Sequence, residues 1–279
     1  MLKKAYLEIT DVCNLNCSFC RGTAREKGFI SVEAFRAAAG QLRRYTDYLY
    51  LHLMGEPLLH PQLEELLAVC AGLRFHTVIT TNGVLLPRQS AALLASPALY
   101  KVSVSLHSFE GNGGTDGAPL EAYLNGVCDF AEQAAAQGVI VSLRLWNGGG
   151  KMGLNPAILR YLKARFGETP APHRTGLTLS PRLYLEYGEK FDWPDPAADE
   201  RNVRFCMGLR DHIGVLWDGT VVPCCLDADG NLALGNLFRQ ELGEILASPR
   251  AQAIYDGFSR GRAVGDLCRR CGYAERFSH

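Results

Sequence analysis

The chain has 279 residues, 47% hydrophobic and 21% charged, and its 29 Lys and Arg balance 29 Asp and Glu. That length buries one large α/β core with a small appendage, and zero net charge gives no electrostatic footing for nucleic acid or an anionic membrane surface. No stretch approaches about 18 consecutive apolar residues, and Met1-Leu2-Lys3-Lys4 leads into a strand rather than a signal-peptide core, so a cytoplasmic, reducing location is expected.

The first strand-like run, 5–10, leads into Cys13-Asn14-Leu15-Asn16-Cys17-Ser18-Phe19-Cys20. The spacing C-x3-C-x2-C places three thiols on a polar loop. Three thiolates are one short of the four that close a 4Fe–4S cluster, so one iron keeps a position for an outside ligand. A structural zinc site closes with four Cys or His in paired spacings, and no fourth donor lies nearby. Burial as small hydrophobes is the ordinary alternative, but clustering on a polar loop argues against it. Ten cysteines in a reducing compartment point to metal rather than disulfides.

Further strand-like runs fall at 47–53, 74–80, 100–106, 138–145 and 176–185, with helical periodicities at 31–45, 61–72, 85–94, 118–137 and 155–166. Ser31-Val32-Glu33-Ala34 reads as a helix start, and Gly72, Gly138 and Gly167 stand where helices stop. Such βα units in series imply a parallel sheet with right-handed crossovers, a full or partial α/β barrel whose ligand lies at the C-terminal strand ends. Cys70 and Cys128 fall in helical stretches and read as core. After 186 the chain turns Pro-, Asp- and Glu-rich. From Ile213 to Pro223 an Asp218-Gly219 turn marks a β-hairpin, and one helix is expected around 239–258.

This second region holds Cys206, Cys224 and the pair Cys268-Arg269-Arg270-Cys271, four thiols. Cys225, beside Cys224, is an alternative fourth ligand. By spacing alone, zinc and a fully ligated iron–sulfur cluster are both acceptable.

C-x3-C-x2-C after the first strand, with Phe19 before the third Cys, resembles the radical S-adenosylmethionine (radical SAM) superfamily. The resemblance implies that S-adenosylmethionine chelates the open iron at Cys13, Cys17 and Cys20. Its reductive cleavage then gives a 5′-deoxyadenosyl radical that abstracts hydrogen from an unactivated C–H bond. It narrows the fold to a partial (β/α)6 TIM-like barrel over 1–186, a linker over 187–204 and a small hairpin-plus-helix auxiliary-cluster domain over 205–279. Cys206-x12-Gly219-x4-Cys224 with a distal C-x2-C is similar to the auxiliary-cluster region called SPASM, or twitch in its shorter form. This implies a second 4Fe–4S cluster at Cys206, Cys224, Cys268 and Cys271, and the Gly219-x4 spacing favours Cys224 over Cys225.

Met54-Gly55-Glu56-Pro57 resembles the family's Gly-Gly-Glu-Pro, with Met for the first Gly, and implies binding of the methionine amino group. Thr80-Thr81-Asn82-Gly83 is similar to the family's Thr-Asn-Gly, making Thr81 and Asn82 cofactor-binding candidates. Ser105 is the candidate for ribose, Arg144 for the methionine carboxylate and Asn147 again for ribose. Each alone also fits an ordinary polar strand end. His107 is a candidate base, though a lone His is more often structural; His52 stands under the same caution. Tyr184, Glu186 and Tyr187 are expected at the substrate end.

The small twitch-type dehydrogenases of aminoglycoside biosynthesis have a similar length and cysteine pattern. The resemblance therefore implies oxidation of a small molecule, with the auxiliary cluster taking an electron and a flavodoxin- or ferredoxin-type protein as donor. Peptide maturases share the architecture but usually carry a leader-recognition domain ahead of the barrel. The chain begins at the first strand, which favours a small substrate. A non-catalytic iron–sulfur carrier is the alternative of another class; it has no need of an open iron.

Overall fold

The computed structural model describes residues 1–167 and 171–277; the last two residues of the expected C-terminal region lie outside them. Apolar runs too short for a helix become strands buried on both faces. These include β1 (Lys4–Leu7), β2 (Tyr48–Tyr50), β3 (His76–Thr81), β4 (Leu99–Ser105) and β5 (Ile140–Gly148). Amphipathic stretches between them become α1 (Val32–Arg43), α2 (Leu63–Gly72), α3 (Leu86–Ala95), α4 (His107–Gly111), α5 (Ala118–Ala136) and α6 (Asn155–Phe166). α1 starts where Ser31 accepts from Ala34 N, and it buries Phe35, Ala38, Ala39 and Leu42 against the sheet.

The sixth parallel strand is β8 (Leu183–Glu189), not the whole of 176–185. Pro181 and Arg182, the latter at φ 65, turn the chain, so β7 (Gly176–Ser180) runs antiparallel to β8 and β6 (Ala171–His173) antiparallel to β7. The expected strand is thus split into a hairpin. β8 also runs three residues beyond the expected barrel end at 186.

The C-terminal region contains β9 (His212–Val215), β10 (Thr220–Val222) and β11 (Gly235–Asn236), then α7 (Leu242–Ala247), α8 (Pro249–Ser259) and α9 (Asp266–Arg269). Its hairpin continues the barrel sheet: β9 pairs with β1 in parallel, Ala5 opposite Ile213 and Leu7 opposite Val215. The sheet order is β11-β10-β9-β1-β2-β3-β4-β5-β8-β7-β6. This is an open, partial barrel whose edges are capped by antiparallel strands. The helix expected at 239–258 is two, because Ser248 caps a new start at Pro249 and the chain before it is extended. Cys70 and Cys128 are fully buried in α2 and α5. Among the described residues no helix is long and apolar enough to cross a membrane.

Candidate active site

The loop between β1 and α1 is held by its neighbours at both ends. Ser18 N donates to Gly111 O, Asn16 N to Asn112 Oδ1, and Cys20 N to Cys17 O, so the thiol-bearing turn is laid on α4. The Phe19 ring packs at 4.8 Å from that of His107. A Cβ at Gly111 would lie 2.5 Å from this ring, so only glycine lets α4 approach so closely. Cys13 and Cys20 are exposed and Cys17 half-buried. Burial pushes the Cys17 thiol up to about 12, with the nearby Cys13 and Cys20 adding to the rise.

The Met54–Pro57 loop sits against the entry to the cysteine loop. Glu56 N donates to Val12 O, and Gly55 at φ 74 touches Thr10 and Asp11. Glu56 is buried, its Oε1 accepting from Leu58 N and its Oε2 from Asn82 N at 2.8 Å. Its carboxylate therefore ties the end of β2 to the end of β3. Burial raises its pKa to about 7 despite these bonds. Pro57 opens a single turn of 3-10 helix. Asn82 donates to Asn14 Oδ1 at 2.8 Å and reaches Cys13 Sγ at 4.0 Å, while Thr81 Oγ1 accepts from Gly83 N. The second and third strand ends thus converge on the Cys13 side of the loop.

Inside the barrel, Ser105, His107, Arg144 and Asn147 line one cavity of about 520 Å³ together with Phe19. Asn147 is held in its own loop: its amide bonds Lys151 O and the Asn155 side chain, so its polar capacity is largely used there. Arg144, expected at the methionine carboxylate, is set among other partners. Its Nε stands 3.6 Å from Glu186 Oε2, and its guanidinium carbon lies 4.5 Å from the Trp146 ring centre. His107 Nδ1 lies 3.1 Å from Arg144 O and 3.4 Å from Trp146 N, and burial lowers its pKa. His52 lines the same cavity with Nδ1 unpartnered; burial takes its pKa down to about 3.

The four C-terminal thiols line a separate, smaller apolar cavity with Leu232, Phe258 and Leu267. Cys224 is there; Cys225 instead lines the large cavity and hydrogen-bonds with Tyr6. Burial raises the Cys224 thiol well above its usual value, and Cys206, Cys225, Cys268 and Cys271 add to it.

Residues 7–132 match the Radical SAM superfamily, and 206–272 match SPASM, an iron–sulfur cluster-binding domain. A probable GTP 3′,8-cyclase of Aeropyrum pernix is 30% identical, over 80% of this chain and 73% of that protein. The chain belongs to the radical SAM superfamily. An AdoMet-dependent heme synthase of Oleidesulfovibrio alaskensis is 26% identical, and the match spans only 35% of its length. Among solved structures, BtrN in complex with AdoMet and 2-DOIA superposes with TM-score 0.64 at 18% identity, over 97% of this chain and 93% of BtrN. Streptococcus suis SuiB bound to precursor peptide SuiA gives 0.62 at 15% identity, over 99% and 70%. At such identities these likenesses speak for the fold.

As a radical SAM protein with a SPASM region, the chain takes S-adenosylmethionine and two 4Fe–4S clusters. Among the described residues no three His, Cys, Asp or Glu side chains come close enough to hold one bare metal ion, so the fit rests on the number and chemistry of the donors. Three thiols on an open loop suit a cluster with an exchangeable iron, and four in an apolar cavity suit a closed one. Thiols buried in such an apolar cavity keep their protons unless a cationic centre stabilises the thiolates.

Two long-range contacts have no local sequence signal. Arg25, on the cysteine loop, grips the fully buried Glu8 at 2.9 and 2.7 Å, and Glu8 also accepts from Met54 N and Trp217 N. Asp229, between the last two cysteine groups, accepts from Thr23 Oγ1, Ala24 N and Arg21 Nη2. The auxiliary region therefore clamps the radical SAM loop.

Proposed function

We propose that this radical SAM enzyme oxidises a small molecule, of the sugar, aminoglycoside or related natural-product class, held in the 520 Å³ cavity. One observation carries the reading: the cavity touches Ser18 and Phe19 of the first cysteine loop and also Cys225, next to the auxiliary ligand Cys224. When bound, S-adenosylmethionine and the first cluster supply a 5′-deoxyadenosyl radical, and the auxiliary cluster supplies an acceptor for one electron. For a carbinol the balance is one hydrogen atom from carbon, one electron and the hydroxyl proton, leaving C=O.

The chain's own residues supply position and dryness. Gly55, Glu56 and Pro57 shape the loop for the methionine end, Thr81 and Asn82 fix its Cys13 side, Ser105 offers a hydroxyl, and Phe19 offers a ring face. In the tautomer that carries its proton on Nδ1, towards Arg144 O, neutral His107 has its other ring nitrogen to accept the hydroxyl proton. Leu53 and Trp193 give the cavity apolar walls. A flavodoxin- or ferredoxin-type donor delivers the starting electron.

A peptide substrate is the second reading, favoured by the likeness to SuiB bound to its precursor peptide. Anaerobically reconstituted protein should release 5′-deoxyadenosine with dithionite, and Cys17→Ala should abolish this while the C-terminal cluster stays loaded. No cleavage with either dithionite or a flavodoxin system would overturn the catalytic reading.

A further inference from the structure

The charges that reach the large cavity are of one sign. Arg144, Lys151 and Lys190 line it, and among the described residues no Asp or Glu does. Arg144 has a carboxylate neighbour in Glu186, but that carboxylate is shared: Oε1 accepts from Ser142 Oγ at 2.7 Å and from Lys101 Nζ at 3.3 Å. Lys101 thus balances Glu186, and the guanidinium charge is left over. Arg144 Nε is buried without a hydrogen bond, and the guanidinium carbon lies over the Trp146 ring at 4.5 Å from its centre. A guanidinium short of acceptors is suited to a planar or tetrahedral oxyanion.

Two lysines at the cavity mouth are placed by the backbone. Lys190 N donates to Gly148 O at 2.8 Å, locking the end of β8 to the end of β5. Asn147 Nδ2 bonds Lys151 O, fixing the next loop, and a Cβ at Gly150 would lie 3.4 Å from Lys190 Cδ. Neither ammonium has a salt bridge or hydrogen bond among the described residues. Three cations thus reach one cavity, two of them from its exposed mouth, with only the shared Glu186 carboxylate set against Arg144, and an anionic ligand complements that excess.

We propose that the substrate carries an anionic group, a carboxylate or a phosphate, that docks on Arg144 within the cavity with Lys151 and Lys190 at its mouth. This rests on the reading of the cavity as the substrate site, and within that natural-product class it favours an acidic or phosphorylated sugar over a cationic aminoglycoside. The test is anaerobic calorimetry on the cluster-loaded protein with S-adenosylmethionine present, using glucose 6-phosphate, gluconate, glucose and glucosamine as probes. At least one anion should bind about tenfold tighter than glucose, and glucosamine weakest. The tighter of the two anions says whether phosphate or carboxylate is preferred. Arg144→Met should remove the margin, and Arg144→Lys should restore part of it. Because Arg144→Met leaves Glu186 with one cation fewer and risks misfolding, the double variant Lys151→Ala/Lys190→Ala, at two exposed positions, should also cut the margin. Equal or tighter binding of glucose or glucosamine, no anion binding at millimolar concentration, or a margin unchanged in the lysine variant overturns the proposal. Release of 5′-deoxyadenosine with no sugar present tests the catalytic reading separately, so either can fail alone.

Discussion

Replacing Gly55 by alanine should damage the N-terminal cluster site more than any local propensity scale implies. Gly55 has φ 74, and an added Cβ would lie 2.5 Å from Thr10 O and 2.8 Å from the Asp11 Cα. The left-handed conformation costs a non-glycine residue about 1–2 kcal/mol. The overlap costs about 1–3 kcal/mol more, because backbone atoms cannot swing aside as a flexible side chain would. The total is about 2–5 kcal/mol, relieved only by moving the Thr10–Asp11 segment that leads to Cys13. Gly138 is the control: its φ is 88, yet nothing lies within 4 Å of its would-be Cβ, so Gly138→Ala should cost only the conformational part. Urea unfolding of both variants, with iron counted after anaerobic reconstitution, separates the two contributions. Gly55→Ala should be the less stable by about 1–3 kcal/mol and should lose iron from the N-terminal cluster. Equal stability and full iron in both variants would refute the steric argument.

Arg25→Ala strips the fully buried Glu8 of its ion partner and should cost about 3–5 kcal/mol in urea unfolding; a loss below about 1 kcal/mol would mean water replaces the guanidinium. His52 is held at about 3, below its ordinary 6.5, so between these values the unfolded chain binds a proton that the folded chain refuses. Its contribution to stability is complete above pH 6.5 and is lost as pH falls toward 3, and His52→Gln should flatten the unfolding free energy over that window. Cys224→Ala should remove the auxiliary cluster, whereas Cys225→Ser should keep both; equal iron loss in the two would place Cys225 among the ligands.

Much of this was legible in the sequence because its signals are local. C-x3-C-x2-C sits within eight residues, and alternating apolar periodicities place each polar strand end on one face. Those ends do converge: Asn82 reaches the Cys13 side of the loop, and Ser105, His107 and Arg144 share a cavity with Phe19. Where the structure departs from the expected elements, a two-residue signal is responsible. Pro181-Arg182 turns the strand-like run 176–185 into a hairpin, and Ser248-Pro249 starts a second helix inside one periodicity. Other features had no local signal at all. Arg25 and Asp229 act across about two hundred residues, and Lys190 lies in a stretch whose composition suggests only a linker until β8 delivers it to the cavity mouth. The side chain of Asn147 shows the opposite case, a plausible ligand residue occupied by its own loop.

The most direct test of two clusters flanking one cavity is low-temperature electron paramagnetic resonance of the reduced protein, with and without S-adenosylmethionine. Two signals are predicted, one lost in Cys17→Ala and the other in Cys224→Ala. S-adenosylmethionine should shift only the signal that Cys17→Ala removes. A shift of the signal that survives in Cys17→Ala, or one signal in the wild-type protein, would contradict the account.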